Sequence, residues 1–170
     1  MTSVWCTALV IFAFLNLISA NEEREWPECP YPMFPVGEKC YSFHKEWSED
    51  FLTWDEAQRY CNGLYQGSQL AQFETATELQ DVKAFLNQAM GRGCYDDWDG
   101  ARTIWIGGVT YDDSEFVWAD GTPIEVTDWK PGKPDGLFEE RAIGLDCDER
   151  FLWEDWSLTW HNPFICDWPN

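Results

Sequence analysis

The side chains able to do chemistry in this 170-residue chain are mostly carboxylates. Residues 128–141, DWKPGKPDGLFEER, set Lys130 and Lys133 between prolines and beside acids, in a chain whose formal net charge is -20. Convergent carboxylates on a stiff loop suit a hard cation such as Ca²⁺, which takes about 6–8 oxygen ligands. A lysine offers three donors and no lone pair, so it opposes a metal rather than ligating one. The tract Tyr95-Asp96-Asp97-Trp98-Asp99-Gly100 is the other acidic concentration. Counting from Gly100 puts Tyr95 at the first and Ile106 at the twelfth position of an EF-hand loop, where an acid and a glutamate are required, so the tract reads as a solvated loop. The chain carries neither HExxH nor GxSxG, and His44 and His161 are too far apart in sequence to suggest a pair; no enzymatic activity is expected.

The acidic excess, 31 Asp and Glu against 11 Lys and Arg, excludes a nucleic-acid partner and leaves a solvated surface, a basic partner or divalent cations. Residues 1–20, MTSVWCTALVIFAFLNLISA, are uncharged and largely apolar and end on small residues before NEERE. They read as a secretory signal peptide cut after Ala20, although no basic residue precedes the apolar run. A membrane span needs about 20 continuous apolar residues, and Thr2, Ser3, Thr7, Asn16 and Ser19 interrupt this one. Residues 21–28 form a short acidic lead and 29–170 one domain. Of seven cysteines, Cys29, Cys40, Cys61, Cys94, Cys147 and Cys166 follow the leader, an even number that predicts three disulfides in a secreted chain. No Asn-x-Ser/Thr sequon is present, so N-glycosylation is not expected.

The elements that must position these residues are legible in outline. CPYPMFPVGEKCYSF predicts a strand pair near the start of the domain. Thr53-Trp54-Asp55-Glu56 is a capping box opening a helix from Trp54 to about Cys61, stopped by Asn62-Gly63. Thr75-Ala76-Thr77-Glu78 opens a longer helix whose Leu79, Val82, Phe85, Leu86 and Ala89 or Met90 share a core-facing stripe, with Gly91 placed to cap it. TIWIGGV, EFVWADG, RAIGL, FLWED and PFICDW are strand candidates. Between Gly121 and Glu140 lies a long stretch of turn formers, and a loop of that length in a compact domain is functional or disordered. Trp105, Trp118 and Trp129 fall where such a fold buries them, whereas Trp98, Trp156 and Trp160 do not.

Five stretches, CYSF, TWDEAQRYC, TIWIGGV, FVWADGTPIEVTDWKPGKPD and WEDWSLTWHNPFICDW, together resemble the C-type lectin-like domain, from about Cys29 to Asp167. The resemblance implies an α+β fold: two helices packed on antiparallel strands, with a long projecting loop. It also implies the bridges Cys61–Cys166 and, for a long-form member, Cys29–Cys40. A further family bridge is missing, since its positions fall on Leu158 and near Glu140-Arg141-Ala142. Cys94 and Cys147 remain as the third pair, the alternatives being two free thiols or a dimer through Cys94.

Family members that bind sugars hold Ca²⁺ in the long loop and let two sugar hydroxyls complete its shell. Carried over, the loop motif becomes Lys133-Pro134-Asp135 with Glu140 as the later acid, and Trp153-Glu154-Asp155 is the strand motif. The implied Ca²⁺ ligands are therefore Asp135, Glu140, Glu154 and Asp155, around the intruding Lys133, with a cis Lys133-Pro134 bond. Asp135 in place of an amide resembles the galactose-type motif. Two outcomes stay open: the ammonium replaces the cation, or it swings away and the acids bind Ca²⁺ weakly, with Arg141 opposing them. The resemblance implies a secreted, extracellular module that binds a glycan on a cell or microbial surface. The alternative is a calcium-independent domain that binds an extracellular protein or sits in a matrix or mineral.

Overall fold

The computed structural model describes residues 27–44, 51–90, 102–112, 115–136 and 140–168. The leader, the acidic tract at 95–100, Cys94, Gly91 and Trp98 lie outside them. Among the described residues, eight strands and two helices follow in the order β1 (Phe34–Val36), β2 (Lys39–His44), α1 (Trp54–Leu64), β3 (Gln69–Leu70), α2 (Ala76–Met90), β4 (Thr103–Thr110), β5 (Val117–Trp118), β6 (Arg141–Asp146), β7 (Leu152–Ser157) and β8 (Phe164–Trp168). The sheet runs β1-β2-β8-β4-β6-β7, with β3 added to β8 and β5 to β4. Among these strands the pairings are antiparallel except the parallel contact Trp105↔Phe164 between β4 and β8. This is the two-helix, long-loop α+β fold that the sequence predicts. No described helix is long and apolar enough to cross a membrane.

The alternation of side chains along β4 assigns each face of the sheet its cover. Ile104 and Ile106 join Leu79, Val82 and Leu86 of α2, with Phe73, Ile143 and Trp153, in one buried cluster. Trp105 and Val109 join Trp54, Ala57 and Cys61 of α1, with Leu70 and Phe164, in the other. At about 1.5–3 kcal/mol per fully buried large apolar side chain, these clusters supply most of the favourable free energy. Ala142 and Leu158, at the positions of the missing bridge, are both buried in the α1 cluster, so apolar packing stands where a disulfide is absent.

One helix boundary needs adjusting. α1 does not stop at Asn62-Gly63 but continues to Leu64; the turn follows at 65–67, where Gly67 takes φ +87°. Of the two alternatives for the end of the core stripe, Ala89 is exposed, and the Met90 side chain lies outside the described ones. At the start of α1 the Glu56 carboxylate accepts from both the amide and the hydroxyl of Thr53. At α2 the Thr75 hydroxyl accepts from the Glu78 amide. The Glu78 carboxylate, however, turns to the Glu74 amide, the Tyr41 hydroxyl and Lys39 at 2.6 Å. That acid therefore ties α2 to the N-terminal hairpin.

Cys29–Cys40 staples the hairpin and Cys61–Cys166 joins α1 to the last strand. Cys147 is also disulfide-bonded; the expected Cys94–Cys147 pair involves a residue outside the described ones. The two glycines of TIWIGGV admit close neighbours: a Cβ on Gly107 would lie 2.8 Å from the Leu70 carbonyl oxygen, and one on Gly108 2.3 Å from Ile143 Cδ1.

Candidate functional site

The long loop is tied at its base. Trp129 forms a parallel bridge to Trp153 of β7. The Trp153 amide donates to the Asp128 carbonyl and the Lys130 amide to the Trp153 carbonyl, each at 2.8 Å. Lys83 of α2 pairs with the Asp128 carboxylate. Trp129, packed edge-on against Trp153 at 5.7 Å and tilted against Phe116 at 5.1 Å, is the loop's apolar anchor. Lys130, half of the lysine pair, leaves the loop tip altogether: its ammonium sits 2.5 Å from Asp146 Oδ2, which holds its pKa above the ordinary value.

At the tip the Lys133-Pro134 peptide bond is cis. The chain then doubles back so that the Asp135 and Gly136 amides donate to Asp155 Oδ1 and Oδ2, at 3.1 and 3.3 Å. Gly136 has φ +69°, a left-handed conformation that glycine adopts without steric cost, and this lets successive amides face one carboxylate. Arg141 Nη1 donates to Asp155 Oδ2 at 3.0 Å, and Lys133 Nζ lies 3.4 Å from Oδ1 and 2.8 Å from Asp135 Oδ2. Burial pushes the Asp155 carboxyl upward, but the Arg141 bond, the two amides and Lys133 outweigh it and hold its pKa below the ordinary value. Lys133 is affected in mirror image: burial lowers its pKa, while Asp135 and Asp155 together raise it further.

The predicted residues divide. Lys133, Pro134, Asp135 and Asp155 come together at the loop tip. Glu154 does not join them, because adjacent residues of a strand face opposite sides. It accepts from the Thr103 hydroxyl at 2.7 Å and lies 4.0 Å from Lys130. Glu140 is exposed. Among the described residues no three His, Cys, Asp or Glu side chains gather as a metal site. The donor set does not fit Ca²⁺: both oxygens of Asp155 are taken by two amides and two cations, and only Asp135 stands beside it. Sequence reasoning placed Arg141 near the site but missed its bond to Asp155; its position opening β6 opposite Ser157 of β7 was the available signal.

Beside the tip, a cleft of about 690 Å³ is lined by Phe116, Ile124, Thr127, Trp129, Asp135 and Arg141, among others. The Arg141 guanidinium lies 5.2 Å from the centroid of the Phe116 ring. The Lys133 ammonium lies 5.6 Å from the Trp156 ring centroid, and Trp156 packs tilted against Trp160 at 4.5 Å. Trp160 is 49% exposed.

This fold and loop define a lectin-type recognition domain. The family model described as Lectin C-type domain matches residues 51–168, and the chain belongs to that family. It is 31% identical over 140 residues to C-type lectin 1 of Hydrophis hardwickii, covering 81% of this chain and 78% of that one. Among solved structures it resembles the mouse scavenger receptor C-type lectin carbohydrate-recognition domain, with 28% identity, a TM-score of 0.64, and 82% and 94% of the two chains covered. It also resembles ovocleidin-17, a major protein of the Gallus gallus eggshell calcified layer, with 26% identity, a TM-score of 0.65, and 84% and 100% covered. The C-type lectin domain is a binding module, not an enzyme.

Proposed function

We propose that this protein is a secreted recognition module that binds carbohydrate on a cell or microbial surface without calcium. The observation that carries the reading is the saturation of Asp155: Lys133 and Arg141 supply the positive charge that a metal supplies elsewhere, and two loop amides complete the arrangement. The loop then holds its shape with the protein's own cations. Polar side chains and aromatic faces take over recognition: Thr127, Asp135 and Trp129 line the cleft, and the apolar face of a sugar ring can stack on Trp129 there or on the exposed Trp160. Similarity to a carbohydrate-recognition domain supports the ligand class.

The test is calorimetric titration with Ca²⁺, then glycan binding with and without chelator. No saturable heat at millimolar Ca²⁺ and chelator-insensitive glycan binding are expected. Binding abolished by chelator would overturn the calcium-independent reading, and binding to no glycan at all would favour the protein-binding alternative.

A further inference from the structure

One ammonium serves three carboxylates where β2, β8 and the start of α2 meet. Lys39 Nζ lies 2.6 Å from Glu78 Oε1, 3.5 Å from Glu74 Oε1 and 3.8 Å from Asp167 Oδ2, and it donates to the Gln72 carbonyl at 3.3 Å. Asp167 is the deepest of the three acids, its side chain 1% exposed against 14% for Glu78 and 75% for Glu74. It is also the least satisfied. Its Oδ2 accepts from the Gln72 amide at 2.9 Å, while its Oδ1 is buried with no hydrogen-bond partner.

We propose that Asp167, Lys39 and Glu78 form a pH-operated latch: with Asp167 neutral the ammonium stays on Glu78 and holds α2 to the N-terminal hairpin, and with Asp167 ionised it moves to Asp167 and that hold loosens. A carboxylate at such depth, with one oxygen unbonded, is strongly disfavoured as an anion. A proton on Asp167 removes one of three negative charges that face a single positive one. The geometry, with the ammonium on Glu78, is that of the neutral acid. When the proton leaves for solvent, Lys39 is drawn to Asp167 more strongly than to Glu78, because water screens the deeper acid less. A move of about 1 Å closes that pair to the usual charge-assisted distance. Glu78 then keeps the Tyr41 hydroxyl and the Glu74 amide but loses its charged partner. Burial, opposed by Lys39 and the Gln72 amide, pushes the Asp167 carboxyl up to about 7, which sets the latch near neutrality.

The groups facing the latch are few. β2 supplies Lys39 and Tyr41, the β3–α2 connection Glu74, and α2 Glu78, with Asp81 acting on Tyr41. Burial first, then Glu78, holds the Tyr41 hydroxyl above its ordinary pKa, so it donates to Glu78 in both states. β3 and β4 carry no titratable side chain. α1 meets β8 on the other face, through Cys61–Cys166, since side chains alternate along a strand.

The experiment is ¹³C NMR of the side-chain carboxyls of the intact protein between pH 5 and 9, with amide hydrogen exchange as protection factors. Asp167 and Glu78 are expected to change with one shared midpoint near neutrality. Protection of the Glu78 and Leu79 amides, relative to Ile104 and Ile106 of β4, should fall about threefold through it. Asp167→Asn keeps the latch closed, so Glu78 should stay flat and the protection constant. Glu78→Gln removes the rival for the ammonium and should lower the Asp167 midpoint by about one pH unit. A Glu78 resonance that does not move as Asp167 ionises, unchanged protection, a pH dependence that survives Asp167→Asn, or an unmoved midpoint in Glu78→Gln would each overturn the proposal.

Discussion

Arg141 Nη1 lies 3.0 Å from Asp155 Oδ2 with both side chains shut away from solvent, at 5% and 0% exposure. Asp155 in turn receives the amides of Asp135 and Gly136, so one buried ion pair fixes both the start of β6 and the turn at the loop tip.

Removing one partner of a buried pair leaves an uncompensated charge. Arg141→Ala is expected to cost about 3–5 kcal/mol in urea denaturation. Lys133→Ala, which removes a partner at the edge of the same cluster, should cost about 1 kcal/mol or less. Equal losses for the two would show that Arg141 is not the principal counter-ion.

The same geometry predicts how calcium binding could be built in. Lys133→Glu alone adds an acid but leaves Arg141 on Asp155 Oδ2, so it should still give no saturable Ca²⁺ heat. Lys133→Glu combined with Arg141→Gln removes both cations from Asp155, leaving only the Gly136 amide on that oxygen, and should bind Ca²⁺ in the weak range, with a dissociation constant of roughly 10⁻⁴–10⁻³ M. Strong binding by the single variant would mean that the lysine was the whole obstacle.

A pH effect of unusual sign follows from Asp167. Burial pushes its carboxyl up to about 7, with Lys39 and the Gln72 amide opposing and Glu78 and Glu74 adding to the rise. Between an unfolded value of about 3.9 and that folded value, the native state binds the proton more tightly, so stability falls as pH rises through this window. Asp155, shifted the other way, contributes stability above its unfolded pKa that is lost as pH falls through its lower folded one. Thermal denaturation should therefore show Tm declining from about pH 4 to about pH 7, and Asp167→Asn should flatten that slope. An unchanged slope in the variant would locate the titrating group elsewhere.

Gly107 faces backbone, whereas Gly108 faces the flexible end of Ile143. A backbone oxygen cannot rotate away, so Gly107→Ala should cost about 1–3 kcal/mol and exceed the cost of Gly108→Ala, which Ile143 can partly relieve. Denaturation midpoints of the two variants decide it; the reverse order would show that β3 can move away from β4.

Patterns governed by backbone geometry were legible in the sequence. The period-3.6 stripe of α2, the short β-branched and aromatic runs of β4, β6 and β8, and the proline-stiffened loop all appear where the residues predict them. What could not be read was the partner chosen by each charge. Lys130 and Lys133 sit three residues apart, yet one reaches Asp146 and the other Asp135 and Asp155, a division set by how the loop folds back on β7. Glu154 and Asp155 stand side by side in the sequence as a matched motif, but strand alternation sends the first to Thr103 and leaves the second at the loop tip. The helix end at Leu64 lies one residue past Asn62-Gly63 because the left-handed glycine that turns the chain is Gly67, at φ +87°, and not Gly63.

The Cys61–Cys166 bond encloses everything from the end of α1 to the middle of β8 in one covalent ring, the long loop included. A protease that cuts that loop would open the ring without releasing a fragment. The nicked protein would migrate as one piece until reduced, and the halves of the recognition surface would stay tethered on either side of the cut.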